Sequence, residues 1–381
     1  MTSSPIEANL PVRRGPSFAR GLWRIAAADV SSGNRVRLLR DGPAAFDAMI
    51  ALIDGATTSV SLESYIVRSD EVGERIAEAL IAAANRGVTV RLLCDWIGIR
   101  GTSHAYFAKL REAKVDVRVF SPPGFRRWLG LVPRDHRKLL VVDDRAGTTG
   151  GVGLGREWTT GVLKHRRSRW RDTSVLIEGA AVLDMRSAFE TMWRRATGKE
   201  RRGAHRFVSR RATHTHLDPA THEPALVGIV EGEPGRLRVA RALQMQAVSA
   251  ERSIWIASAY FVPSFAEIEA LCGAARDDVD VRILVPHRAD HPWIPWMTRR
   301  TYRRLITNGV RIWEWAGEMM HAKTSVVDGR WVRVGSTDFN PLGVSINFEL
   351  DAVIEDAALG AEAEAMFLAD LESSREITHG R

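Results

Sequence analysis

Two short stretches carry side chains whose types and spacing suit chemistry at an anionic centre. DHRKLLVVDD holds His136, Lys138 and Asp143, and MHAKTSVVDG holds His321, Lys323 and Asp328. Each reads H-x-K, four further residues, then Asp, and each opens an apolar run rich in β-branched residues. One such match in a chain of this length is weak evidence; two in equivalent places are strong. On a strand, residues i and i+2 project from the same face, so each His and its Lys can address one ligand atom. Asp143 and Asp328 have the opposite parity and are expected to face away and tie down strand ends, not to act as acids.

The elements that must position these residues come twice. Apolar periodicity and turn residues predict helices over 44–53 and 70–86 and strands over 59–67 and 88–95, with Asp70 capping the second helix and Gly87 ending it. The order returns as helices over 239–250 and 264–276 and strands over 253–262 and 279–286. The text matches as well: SVSLESYIV against SIWIASAYFV, VTVRLL against VDVRIL, VDVRVF against VRIWEW. Strands alternating with helices imply parallel sheets covered on both faces, hence an α/β protein with two homologous α/β/α sandwich halves at 36–198 and 236–381. Residues 199–235 read as a linker and 1–35 as a leader.

Composition sets the surroundings. The chain has 381 residues, 45% hydrophobic and 26% charged, with a formal charge of +8, so its surface should attract polyanions such as anionic membrane or nucleic acid. Cys94 and Cys272 sit in apolar text and are expected to be reduced core residues. No run approaches the length of a membrane span, and the first residues lack the apolar stretch of a signal peptide. SFARGLWRIAAA at 17–28 fits either a basic amphipathic helix lying on a membrane or a leader packing Leu22 and Trp23 on the core.

The paired motifs resemble the HKD motifs of the phospholipase D superfamily. That resemblance implies two halves packed pseudo-symmetrically so that both motifs meet at one phosphate. It implies that one His attacks phosphorus to give a phosphohistidine, His136 by the family's usual assignment, while the other protonates the leaving alcohol and later deprotonates the incoming one. The lysines stabilise the phosphoryl oxygens, so neither metal nor cofactor is expected. It also places a carboxylate behind each imidazole, at Asp172 in WRDTSVLIEG and Glu349 in INFELDAVI. Within the superfamily the likeness runs from about residue 36 to 372 and points to bacterial cardiolipin synthases, here the shorter branch without membrane-spanning helices. YIVRSDEVGERIAEALIAAANRGVTVRLLCDWIG, VRILVPHRADHP and HAKTSVVDGRWVRVGS carry it.

Two departures stand out in the expected phosphate pocket, formed by Gly151, Gly153, Ser336 and Asp338. The family pattern has Asn after each motif, in GGxN and GSxN, where this chain has Gly153 and Asp338. Glycine offers only backbone N–H, and an ionised Asp repels phosphate; Asp338 must be turned away, protonated or paired with a cation.

Two further segments mix apolar and basic residues, as a loop dipping into an anionic bilayer would. One is 121–138 with Trp128 and Leu129; the other is 291–305 with Trp293 and Trp296. Buried tryptophans beside solvated arginines are the alternative for each. His214, His216 and His222 lack metal-ligand spacing and read as loop. The expected activity is phosphatidyl transfer, with two phosphatidylglycerol giving cardiolipin and glycerol at the inner face of a bacterial cytoplasmic membrane. A hydrolase yielding phosphatidic acid is the alternative within the superfamily, and a nuclease or nucleic-acid-binding protein the alternative outside it. The apolar residues among the loop aromatics favour lipid over nucleic acid as partner.

Overall fold

The computed structural model describes residues 21, 24–121, 133–159, 169–197 and 225–378. Its first half runs β1 (Val30–Arg40), α1 (Asp41–Asp54), β2 (Ser59–Ser64), α2 (Glu71–Asn85), β3 (Thr89–Asp95), α3 (His104–Glu112), β4 (Asp116–Phe120), β5 (Lys138–Val142), β6 (Ala146–Gly150), β7 (Thr173–Glu178) and α4 (Ala181–Ala196). The second half repeats it as β8 (Ala225–Gly232), α5 (Arg238–Ser249), β9 (Ser253–Ser258), α6 (Phe265–Arg276), β10 (Asp280–Pro286), α7 (Trp293–Thr307), β11 (Arg311–Trp315), β12 (Lys323–Val327), β13 (Trp331–Gly335), β14 (Glu349–Glu355) and α8 (Ala357–Glu372). A short β15 (Ser374–Ile377) follows.

All the described strands join one sheet, in the order β4-β3-β2-β5-β6-β7-β1-β8-β14-β13-β12-β9-β10-β11-β15. Read outward from the β1–β8 pair, the two arms have the same connectivity, which is the pseudo-symmetry of the repeat. The sheet is mixed, and this corrects the expectation of parallel sheets. Only β2-β3-β4 and β9-β10-β11 run parallel. The β5–β6 and β12–β13 hairpins turn too tightly to admit a crossover helix, so these strands pair antiparallel.

Helices cover both faces. A core shared by the two arms lies under α4 and α8 and includes Leu139, Phe189, Trp255 and Phe367. On the other face α1, α2 and α3 close a core around Phe46, Leu80 and Trp158 in the first arm, and α5, α6 and α7 close one around Leu243, Leu271 and Leu305 in the second. Local signals agree with these positions: Asp70 accepts from the N–H groups of Val72 and Gly73, Gly87 carries φ +91, and Ser264 with Glu267 forms a capping box. Cys94 and Cys272 are buried and unpaired.

Two boundaries differ from the sequence reading. Residues 225–232, assigned to the linker, form the central strand β8; ALVGIV is a short buried run whose flanking Pro, Gly and Glu mask it. Strand β1 begins at Val30, inside the segment read as leader, and Ala26 and Ala28 pack into the second arm's core. Leu22 and Trp23 lie outside the described residues.

Candidate active site

Lys138 opens β5 and Lys323 opens β12, and their side chains turn toward one space between the arms. Each ammonium is anchored by the carbonyl of its own histidine, Lys138 Nζ on His136 O at 2.7 Å and Lys323 Nζ on His321 O at 2.7 Å. The aspartates of the motifs face away. Asp143 accepts from the backbone N–H groups of Thr57, Thr58 and Ser59, each at 2.8 Å, and Asp328 takes those of Glu251, Arg252 and Ser253. They clamp the hairpin turns to the starts of β2 and β9.

The histidines reach across the pseudo-twofold. His136 N–H donates to Phe348 O at 2.9 Å and Phe348 N–H to Arg134 O at 2.8 Å; His321 N–H donates to Arg171 O at 2.7 Å and Arg171 N–H to Met319 O at 2.9 Å. Each motif thus enters its strand by pairing with the other half's segment just ahead of a carboxylate. Glu349 meets His136, both oxygens 3.1 Å from Nδ1, and Asp172 Oδ2 lies 2.7 Å from His321 Nδ1. The carboxylates therefore act in trans, which their places in the sequence did not reveal. With Nδ1–H donating to carboxylate, Nε2 of each ring keeps the lone pair that faces the reaction space.

Burial sets the charges. It holds His136 and His321 well below the usual histidine range, and the lysine ammoniums push in the same direction. Burial brings Lys138 down to about 8 and lifts Asp172 to about 6 and Glu349 to about 8. The rings are thus neutral bases until an anion enters between the two lysines, and that anion's charge favours one imidazolium.

The two imidazoles sit in different walls. The His136 side chain is 15% exposed, that of His321 4%. Among the described residues, His136 meets one aromatic ring, Tyr65 at 5.0 Å; His321 is enclosed by Trp170 at 5.1 Å, Trp158 at 5.6 Å and Tyr260 at 6.1 Å. Lys138 and Lys323 lie over the Tyr65 and Tyr260 rings at 5.5 and 5.6 Å.

The pocket residues explain both departures from the family pattern. A Cβ on Gly153 would stand 2.8 Å from the Trp158 ring, and one on Gly151 2.2 Å from Asp172 Oδ1. Trp158 fills the place a longer side chain would take, and its Nε1–H donates to Asp172 Oδ2 at 2.8 Å. Across the site Ser336 donates to Glu349 instead. Asp338 is buried and paired with a cation, its Oδ2 3.4 Å from Lys323 Nζ, while Oδ1 accepts from Tyr260 N–H at 3.1 Å.

Trp128 and Leu129 lie outside the described residues. Trp293 and Trp296 are 53% and 60% exposed at the start of α7. His291 links that helix to the site, 6.4 Å from the Trp293 ring and 6.0 Å from Tyr260, whose hydroxyl donates to Asp290 at 2.7 Å. Among the described residues no helix is long and apolar enough to cross a membrane.

Sequence reasoning missed Tyr65, Tyr260, Trp158, Trp170 and Arg171. The tyrosines were legible: both stand just after the matched strands, in SVSLESYIV and SIWIASAYFV. Trp158 and Trp170 have no counterpart at a fixed spacing in the other half. Arg171, buried between Asp370 and Asp41, holds the Asp172 segment from α8 and α1 and carries no motif at all.

Comparison with known proteins agrees with this geometry. Residues 49–193 and 244–371 match the family described as cardiolipin synthase, PLD-like domain. The chain is 33% identical to a cardiolipin synthase of Geobacillus sp. (strain WCH70) over 93% of its own length and 70% of the relative's. It is 33% identical to that of Geobacillus kaustophilus over 87% and 65%, and 32% identical to cardiolipin synthase A of Pseudomonas aeruginosa over 98% and 74%. The chain thus spans about two-thirds to three-quarters of the length of these relatives. In fold it is similar to the crystal structure of a phosphatidylserine synthase of Haemophilus influenzae, at 12% identity and a TM-score of 0.70, covering 95% of this chain and 92% of that one. A repeated fold, two H-x-K motifs meeting across its pseudo-twofold and a family match spanning both halves establish that this chain belongs to the cardiolipin synthase group of phospholipase D-like proteins.

Proposed function

We propose that the protein is a phosphatidyltransferase that makes cardiolipin from two phosphatidylglycerol molecules. The observation that carries this reading is the reciprocal pairing of His136 with Glu349 and His321 with Asp172 around two buried lysines. Lys138 and Lys323 take the non-bridging oxygens of the donor phosphate, a preorganised cationic clamp in a water-poor site. His136, the more open imidazole, attacks phosphorus through Nε2, and the phosphorus–oxygen bond to glycerol breaks. His321 gives that alkoxide its proton, and Asp172 stabilises the imidazolium from which it comes. The acceptor hydroxyl then returns its proton to His321 and attacks phosphorus, which breaks the phosphorus–nitrogen bond and frees His136.

Water competes for the same phosphohistidine, so a transferase must bind the alcohol and keep the pocket dry. The rings of Trp158, Trp170 and Tyr260 around His321 suit that task. Exposed Trp293, with Trp296 beneath Arg300 and exposed Phe265 beneath Arg304, suits a peripheral contact with the anionic inner face of a cytoplasmic membrane. Incubation with vesicles of labelled phosphatidylglycerol tests the reading: cardiolipin and glycerol are expected. Phosphatidic acid alone under lipid saturation would make the protein a hydrolase, and no turnover of lipid beside cleavage of nucleic acid would make it a nuclease.

A further inference from the structure

The reaction space holds one carboxyl group more than the imidazoles require. Asp172 and Glu349 are fully engaged: each meets an imidazole Nδ1 and a second donor, Trp158 Nε1–H or Ser336 Oγ–H. Nothing in those bonds need change when a phosphate arrives. Asp338 differs. Besides one backbone N–H, its partner is Lys323 at 3.4 Å, the same ammonium that a phosphate oxygen would claim. The equivalent position in the first half, Gly153, carries no charge.

The titratable groups facing Asp338 are Lys323 on β12, Lys138 on β5, His136 ahead of it, Glu349 on β14 and Tyr260 after β9. An anionic phosphodiester placed between the lysines would stand beside an ionised Asp338 from which it had drawn the compensating cation. A protonated carboxyl in the same place would turn repulsion into a hydrogen bond, since its O–H is a donor.

We infer that Asp338 takes up a proton from solvent as a phosphodiester binds and donates it in a hydrogen bond to a non-bridging phosphate oxygen, which couples binding to pH. This rests on the placement of the phosphate between Lys138 and Lys323. Burial already holds Asp338 above the usual carboxylate range, opposed first by Lys323. A bound anion raises it further. Affinity is then constant below the free-state value of Asp338 and falls as pH rises above it, until the value of the complex is passed. Glu349, lifted by burial to about 8, is the rival seat for the proton. At that value it already holds a proton at neutral pH, and its oxygens are engaged by the His136 ring and the Ser336 hydroxyl, so it is not the group that takes one up there.

Calorimetric titration of the full chain with dimethyl phosphate, a monoanion across the neutral range, tests this in two buffers of different ionisation heat. The wild type should take up about one proton per ligand more than Asp338→Asn does, and its Kd should rise about tenfold more per pH unit above the free-state value of Asp338. Asp338→Asn should keep only the uptake by an imidazole and the limb of Lys138. Infrared difference spectra give a second readout that needs no variant. Ligand addition should raise a protonated-carboxyl band that moves on ¹³C-aspartate labelling and stays put on ¹³C-glutamate labelling. Unchanged proton uptake in Asp338→Asn, or a band that follows glutamate, would overturn the inference while leaving the phosphate site intact. Absence of binding to the wild type would overturn the placement of the phosphate and the inference with it.

Discussion

The two halves hold equivalent imidazoles by different means. Glu349 reaches His136 with the longer carboxylate, is itself steadied by Ser336, and serves the more exposed of the two imidazoles. Asp172 reaches His321 with the shorter one, takes the Trp158 indole and the Thr173 N–H at 2.8 Å, and lies behind three aromatic rings. Behind the motifs the contrast is sharper. Glu63, Asp135 and Arg137 form a buried charged group in the first half, with Arg137 Nη2 3.1 Å from Glu231 Oε2. The matching positions in the second half are Ala257, Met320 and Ala322. One backbone design thus tolerates either an ionic or an apolar support, whereas the His, the Lys and the carboxylate in trans stand in both halves. The chemistry constrains those three and leaves the rest free to diverge.

The largest effect should come from the shared core. His136→Ala and His321→Ala are each expected to lower turnover by about 10³-fold or more. Only His136→Ala should also abolish an acid-labile phosphoenzyme, assayed by quenching with labelled lipid; near wild-type activity in either variant would end the single-site account.

Arg137 tests the divergent part. Its guanidinium pairs with Glu231, and its charge counters the burial that pushes Glu63 and Asp135 up; removing it alone should cost about 3–5 kcal/mol of stability. Exchanging the whole set for its second-half counterparts, Glu63→Ala with Asp135→Met and Arg137→Ala, should cost less than Arg137→Ala alone by denaturant titration. A triple variant weaker than the single one would show that the two supports are not interchangeable.

A smaller change separates the two carboxylates. Trp158→Phe keeps the ring against Gly153 but deletes the indole donor to Asp172, and a lost hydrogen bond to a charged group corresponds to about tenfold in rate. His321 acts in both half-reactions, so formation and discharge of the phosphoenzyme should both slow, whereas Ser336→Ala should chiefly slow its formation; rapid-quench measurement of the two steps distinguishes them, and the reverse pattern would swap the roles of the histidines.

The smallest expected effect is a displaced pH limb. Lys138 must be protonated to hold phosphate, and burial brings it to about 8, so kcat/KM should fall as pH rises through that value. Lys138→Arg, which stays charged, should move the limb upward even if the rate drops. An unmoved limb would assign it to another group.

Much of this was legible in the sequence. The repeat, the H-x-K pairs and the outward aspartates follow from strand parity and matched text, because a period of two and two identical motifs leave little freedom. The mixed sheet was not legible, since the meander after β4 lacks a helical signal and its hairpins are short. Strand β8 was hidden by its Pro- and Gly-rich flanks. The exchange of carboxylates between halves was not legible either: it is a property of the pairing of Arg134 with Phe348 and Arg171 with Met319, contacts between residues far apart in the chain. Trp158 escaped notice because it compensates for Gly153 in space without any fixed spacing.

The exchange of carboxylates is the central claim, and ¹⁵N-histidine NMR reads it without reliance on turnover. Glu349→Gln should change the tautomer and Nδ1 shift of His136, in the first half, and leave His321 nearly untouched, while Asp172→Asn should do the opposite. If Asp172→Asn instead perturbs His136 and Glu349→Gln perturbs His321, each half orients its own imidazole and the reciprocal site described here is wrong.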